Sequence, residues 1–331
     1  MSNGRACLAL VVLALALSTL LAPAVADPVQ AGKIARIGYL TPVSREQQAP
    51  YAAAFVQGLR DFGYVEGQNI IIEWRFANGQ ADRLPTLAAE LVRQKMDVIA
   101  VVSSPAAQAA KQETTTIPIA MIYGTDPVED GLAVSLAHPG GNVTGLSFMG
   151  AELATKQLEL LKSAVPTISR VAVVRLPSQD HIRVANVLAG VGAGIGVGIK
   201  ILEAGSPDDY ERIFPAMSSD RIDAVLLLGS AIGYANRARL SALAIKHRLP
   251  MASSIREFAE AGFLLSYSPR ILSMYRYAAK YVDRLLRGAN ASDLPIEQPT
   301  QFELVINLST AKALGVTVSE SILLRADEVI R

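Results

Sequence analysis

The chain has 331 residues, 51% of them hydrophobic, with 31 basic against 30 acidic side chains, three histidines and one cysteine. That length exceeds what one hydrophobic core usually carries and suits two α/β domains. The balanced charge, with no basic block, excludes nucleic acid as a partner, because phosphate binding needs clustered Lys and Arg.

Residues 1–26 read as a secretory signal peptide. Arg5 supplies the positive start, Leu8 to Leu21 is an apolar run, Pro23 breaks it, and Ala24-Val25-Ala26 gives the small-x-small cleavage pattern. The run is about 14 residues, short of the roughly 20 that span a bilayer. Cys7 precedes the run, so it is no lipid attachment point and falls in the discarded peptide. The processed protein is expected to be soluble and extracytoplasmic, with no cysteine for a disulfide, a nucleophile or a metal.

Strand-like apolar runs then alternate with helical patterns. The first half gives strands at Ile34 to Leu40, Ile70 to Trp74, Asp97 to Val102 and Pro118 to Ile122. Between them lie helices at Tyr51 to Phe62, Leu84 to Lys95 and Pro105 to Thr114. The second half repeats the scheme. Strands are predicted at Val171 to Arg175, Val197 to Leu202, Ile222 to Leu228, near Met251, near Phe263 and at Phe302 to Asn307. The helices there are Ser178 to Leu188, Asp208 to Met217, Tyr234 to His247 and Ile271 to Leu286, and a last helix ends the chain. Such alternation implies parallel sheets covered on both faces. The fold class is therefore α/β, with two doubly wound parallel-sheet lobes joined by a multi-strand hinge. The expected boundaries are 33–148 plus roughly 268–298 for the first lobe, and 149–267 plus roughly 299–331 for the second.

In open parallel sheets, ligands bind beyond the carboxyl ends of the strands. The loops there nominate Thr41, Pro42, Ser44, Ser103, Ser104, Ala106, Tyr123, Thr125 and Asp126 from the first lobe. The second lobe offers Ser178, His181, Ser230, Ser254 and Arg256. Ser103, Ser104 and the Ala106 amide open a helix and suit a carboxylate; alternatively they only cap it. His138 reads as a turn residue, and His247 as a cation at a helix end.

Signatures of chemistry are missing. There is no H-E-x-x-H, no G-x-S-x-G and no phosphate loop. Gly192-Ala193-Gly194-Ile195-Gly196 follows a helix rather than a strand, so it reads as a helix stop and not as a dinucleotide site. No cofactor and no metal are expected. A secreted enzyme, a ligand-presenting sensory protein and a ligand-regulated repressor are the competing readings. The repressor would need a DNA-binding segment where the export signal stands.

Several segments resemble the solute-binding proteins of ABC transporters of the tryptophan/tyrosine-uptake type. They include Gly63-Tyr64-Val65-Glu66-Gly67-Gln68-Asn69-Ile70, Asp126-Pro127-Val128, His138-Pro139-Gly140-Gly141-Asn142-Val143-Thr144-Gly145, Ser266-Tyr267-Ser268-Pro269 and Phe302-Glu303-Leu304-Val305-Ile306-Asn307. The resemblance implies a periplasmic binding protein type 1-like fold, a small-molecule solute held between the lobes, delivery to an ABC permease in the inner membrane, and no enzymatic step. The chain departs from the family's pattern at Leu176-Pro177, Gly229-Ser230 and Gly262-Phe263. Loss of an acid at Gly229-Ser230 removes a partner for a substrate ammonium. A carboxylate or a neutral aromatic solute is favoured over an amino acid.

Overall fold

The computed structural model describes residues 34–331; residues 1–26, read above as a signal peptide, and Cys7 lie outside them. The first half runs β1 (Ala35–Thr41), α1 (Arg45–Asp61), β2 (Ile70–Phe76), α2 (Leu84–Arg93), β3 (Val98–Val102), α3 (Ser104–Glu113), β4 (Ile119–Gly124) and β5 (Val143–Ser147). These strands form one parallel sheet in the order β2-β1-β3-β4-β5. β3 is buried along its whole length, Val98 to Val102, as a β-branched run inside a parallel sheet should be. Leu84, Leu87, Ala88 and Leu91 of α2, and Ala106, Ala107 and Ala110 of α3, pack on one face of the sheet.

The second half runs α4 (Gly150–Ala164), β6 (Arg170–Arg175), α5 (Gln179–Gly194), β7 (Gly198–Glu203), α6 (Pro207–Ser219), β8 (Ala224–Leu227), α7 (Ala231–Ala235), α8 (Arg237–His247), β9 (Met251–Ser253), α9 (Arg256–Glu260) and β10 (Leu265–Pro269). Then α10 (Ile271–Leu286) returns to pack on α1 and on the first sheet. The chain crosses back through Pro299 and Thr300 into β11 (Phe302–Asn307), α11 (Leu308–Leu314), α12 (Glu320–Leu323) and β12 (Glu328–Ile330). The second sheet has the order β12-β11-β10-β9-β8-β6-β7 and is parallel except for the β10–β11 pair. Separate cores cover its two faces, one around Leu158, Val173 and Leu188, the other around Phe214, Val225 and Phe258.

Three segments therefore connect the two sheets: Ser147 to Gly150, Pro269 to Ile271, and Glu297 to Phe302. Two of them touch, since Ser147 N–H donates to the Glu297 carbonyl at 2.9 Å.

The sequence reading misses β5 and α4, where it expected a change of lobe near Gly145 to Gly150. In α4 the buried positions Leu153, Ala154, Gln157, Leu158, Leu161 and Ala164 keep the helical spacing. The helix expected at Tyr234 to His247 is two helices. Asn236 breaks it, with its Nδ2 donating to the Ile232 carbonyl at 2.9 Å and its backbone leaving helical geometry. The helix expected at Ser178 to Leu188 runs on to Gly194, and the stop read in Gly192 to Gly196 falls there, with Ile195 as the cap and Gly196 at φ +69°. A Cβ on Gly192 would come within 2.6 Å of the Val197 carbonyl, so this glycine serves close packing. The last helix is replaced by two short ones and an edge strand.

Candidate ligand-binding site

Each sheet has one point where strand order reverses, between β1 and β3 and between β6 and β8. Loops diverge there and leave a crevice at the strands' carboxyl ends. The two crevices face one cavity of about 140 Å³. From the first sheet come Pro42 and Val43 after β1, Val102 at the end of β3, Tyr123 and Thr125 after β4, and Phe148 after β5. From the second come Gly229, Ser230 and Ala231 after β8, and Ser254, Ile255 and Phe258 after β9. Gln48 and Tyr51 of α1, Tyr234 of α7 and Ile271 and Tyr275 of α10 complete the wall.

The first-sheet side is a packed aromatic cluster. Tyr51 stacks on Tyr275 with ring centroids 5.1 Å apart, and Tyr123 sits 5.1 Å from Phe148 and 6.2 Å from Tyr275. Behind them Gln48 is fixed at both ends: its Nε2 donates to the Tyr39 hydroxyl at 2.7 Å, and its Oε1 accepts from Thr41 at 3.1 Å. Burial raises the pKa of Tyr123 to about 12 and that of Tyr275 further, so these phenols stay neutral.

Side chains of the two halves bond across the cavity. The Tyr51 hydroxyl donates to Glu257, and the Thr125 hydroxyl to Asp180 at 3.5 Å. Arg183 pairs with Asp130, whose side chain is fully buried; that desolvation raises the Asp130 pKa. Three side-chain pairs thus join the two halves near the cavity.

Of the residues nominated by sequence, Pro42, Tyr123, Thr125, Ser230 and Ser254 line this cavity. The others stand elsewhere. Thr41 is behind Gln48, and Ser44 caps α1 in a reciprocal capping box with Gln47. Ser104 is buried and its Oγ accepts from the Thr125 amide at 2.8 Å, while Ala106 belongs to the core. The Ser103 Oγ is buried without a partner, at a residue held at φ +84°. The carboxylate seat expected at Ser103, Ser104 and Ala106 therefore lies outside the cavity wall. Asp126 accepts from the Glu129 amide at 3.3 Å, and Ser178 flanks the start of α5.

His181 is a strut rather than a wall residue. Its Nδ1 accepts from the Leu176 amide at 3.2 Å, and its ring also bonds to the Gly229 backbone. Burial lowers its pKa, which keeps it neutral and able to do both. Arg256 points into an acidic cluster instead, 3.0 Å from Glu260 and 3.6 Å from Glu303, with Glu328 also paired.

Sequence reasoning missed Gln48, Tyr51, Tyr234 and Tyr275 because it searched only the loops. These four project from helices beside the loops. Among the described residues no group of His, Cys, Asp or Glu is placed to hold a metal, and no helix is long and apolar enough to cross a membrane. A larger cavity, about 340 Å³, lies beside the connecting segments near Arg270, Tyr277 and Glu297, away from both switch points.

Fold and site together define a two-lobed binding protein with the type 1 periplasmic-binding fold. Residues 36–330 match the family of ABC transporter substrate binding proteins, and the chain belongs to that family. It is 29% identical over 263 residues to a tyrosine-binding protein of Clostridioides difficile, covering 78% of this chain and 75% of the relative. Among solved structures, a conserved domain protein of Vibrio cholerae aligns with a TM-score of 0.84 and 26% identity, over 90% of this chain and all of that one. An ABC domain from Streptococcus pneumonia, in complex with L-Trp, aligns with a TM-score of 0.83 and 26% identity, over 89% of this chain and 99% of that one.

Proposed function

We propose that this protein is the extracytoplasmic solute-capture component of an ABC importer. In this reading residues 1–26 direct export to the periplasm and are removed. Residues 33–148 with roughly 268–298 form one lobe, and 149–267 with roughly 299–331 the other. A small molecule, aromatic or carboxylate, enters between open lobes. Contacts made only in the closed form shift the hinge equilibrium toward closure. A permease in the inner membrane then receives the closed form. The protein performs no chemistry on its ligand.

One observation carries the reading: a single cavity is walled from both halves, and three cross-bonds, Tyr51–Glu257, Thr125–Asp180 and Arg183–Asp130, close around it. The energetics suffice. Burying one aromatic ring removes about 150–250 Å² from water, roughly 4–6 kcal/mol gross at about 25 cal/mol per Å². Hydrogen bonds to the wall bring micromolar affinity, about −8 kcal/mol, within reach after ordering costs.

The test is a thermal-shift screen of the purified protein against aromatic amides, alcohols and carboxylates, amino acids, sugars and nucleosides, with chromatography of each hit. A ligand that binds only the native state raises Tm by mass action. A hit recovered unchanged supports capture; a hit that is consumed contradicts it.

A further inference from the structure

We infer that the cavity is built for an uncharged, single-ring aromatic molecule bearing one compact polar group, and that the Ser254 hydroxyl is the contact that reads this group. The inference rests on the capture reading above and names its ligand class.

Size comes first. A cavity of about 140 Å³ matches the scale of an apolar site of about 150 Å³ that accommodates one benzene ring. A single ring with a small substituent fits, and a two-ring system with an amino-acid backbone does not. The stacked Tyr51 and Tyr275 and the Tyr123–Phe148 pair supply the apolar contact for that ring.

Charge comes second. No Asp, Glu, Lys, Arg or His is among the residues that line the cavity. Two acidic side chains hydrogen-bond to wall side chains, Glu257 to Tyr51 and Asp180 to Thr125, and one cation, Arg237, donates to the Tyr234 backbone carbonyl at 2.9 Å. Arg237 lies over the Tyr234 ring, 4.5 Å from its centroid, but is not part of the cavity wall. A ligand carboxylate would be desolvated without a counter-cation and beside two like charges, which disfavours both benzoates and zwitterionic amino acids.

The polar handle comes third. Three hydroxyls of the wall already serve the protein: Ser230 accepts from the Gly233 amide, Thr125 donates to Asp180 and Tyr51 donates to Glu257. Ser254 is 7% exposed, lines the cavity and forms no side-chain hydrogen bond. Gly229 leaves room for it, since a Cβ there would stand 2.6 Å from the Ser254 Oγ. A hydroxyl that faces the cavity and spends no hydrogen bond on the protein is free to donate to or accept from a ligand's polar group.

The experiment is calorimetric titration of the purified protein with benzamide, benzyl alcohol, benzoate, L-phenylalanine and L-tyrosine. The expected result is at least tenfold tighter binding of a neutral probe than of any charged one. Ser254→Ala should weaken benzamide about tenfold with Tm unchanged, and Ser254→Thr should restore part of the loss. Glu257→Gln removes one of the two negative charges beside the wall, so the preference for benzamide over benzoate should narrow several-fold. Tighter binding of benzoate or of either amino acid overturns the inference and leaves solute capture standing. An unchanged benzamide affinity in Ser254→Ala overturns the role of that hydroxyl. If no neutral probe binds at millimolar concentration, the ligand class is wrong; loss of any ligand response in the wider thermal-shift screen would instead count against capture.

Discussion

The two walls of the cavity are made differently. The first-sheet wall is aromatic and interlocked, with Tyr51, Tyr123 and Tyr275 packed on one another over the fixed Gln48. The second-sheet wall sets Tyr234 and Phe258, which meet edge to face, beside Gly229, Ser230 and Ser254, small residues on loops held by His181 and by the cap at Ser230. The difference teaches a division of labour. In the proposed capture, the first lobe would offer preformed apolar area for a ring and so affinity, and the second would offer hydroxyls and so selection. Ordering costs are lowest where the wall is already rigid.

The largest effect should follow from removing the rigid side. Tyr275→Ala deletes a fully buried ring that stacks on Tyr51 and borders Tyr123. The expected loss is about 3–4 kcal/mol of stability by urea denaturation, with affinity down a hundredfold or more. An equal loss from Ser230→Ala would erase the contrast between the walls.

Gly229→Ala comes next. Its Cβ meets the Ser254 Oγ and must displace it. Ligand affinity should fall about tenfold by calorimetry, while Tm changes little.

The cross-bonds test the clamp more gently. Arg183→Ala leaves the buried Asp130 carboxyl without its partner only when the lobes are closed. The ligand's dissociation rate should rise several-fold in stopped flow with the association rate nearly unchanged. A slowed association would show that this pair guides entry instead.

The smallest effect is the pH response of the strut. Burial holds the His181 pKa below its ordinary 6.5, so the unfolded chain takes up the proton first. Stability is therefore fully present above pH 6.5 and falls as pH drops through the folded-state pKa. Urea midpoints measured from pH 7.5 downward should show that decline, and His181→Gln should flatten it.

Much of this was legible in the sequence. The strand–helix alternation placed both sheets, because buried parallel strands and amphipathic helices leave different periodicities. The rule that ligands meet the strand ends nominated Pro42, Tyr123, Thr125, Ser230 and Ser254, which line the cavity. What was hidden depended on long-range partners. Arg256 follows a Ser-rich loop like the others, yet it turns to Glu328, 72 residues away. His181 looked like a ligand contact until its ring was seen to join Leu176 to Gly229. Tyr51 and Tyr275 read as ordinary buried helix positions; only the packing of α10 on α1 brings them face to face.

The most direct test of the central claim, that a ligand closes two lobes around itself, is small-angle X-ray scattering of the purified protein with and without a saturating ligand. Capture by hinge closure predicts a smaller radius of gyration in the complex, with a scattering profile matching the closed arrangement described here. An unchanged radius with a ligand proven bound would contradict it.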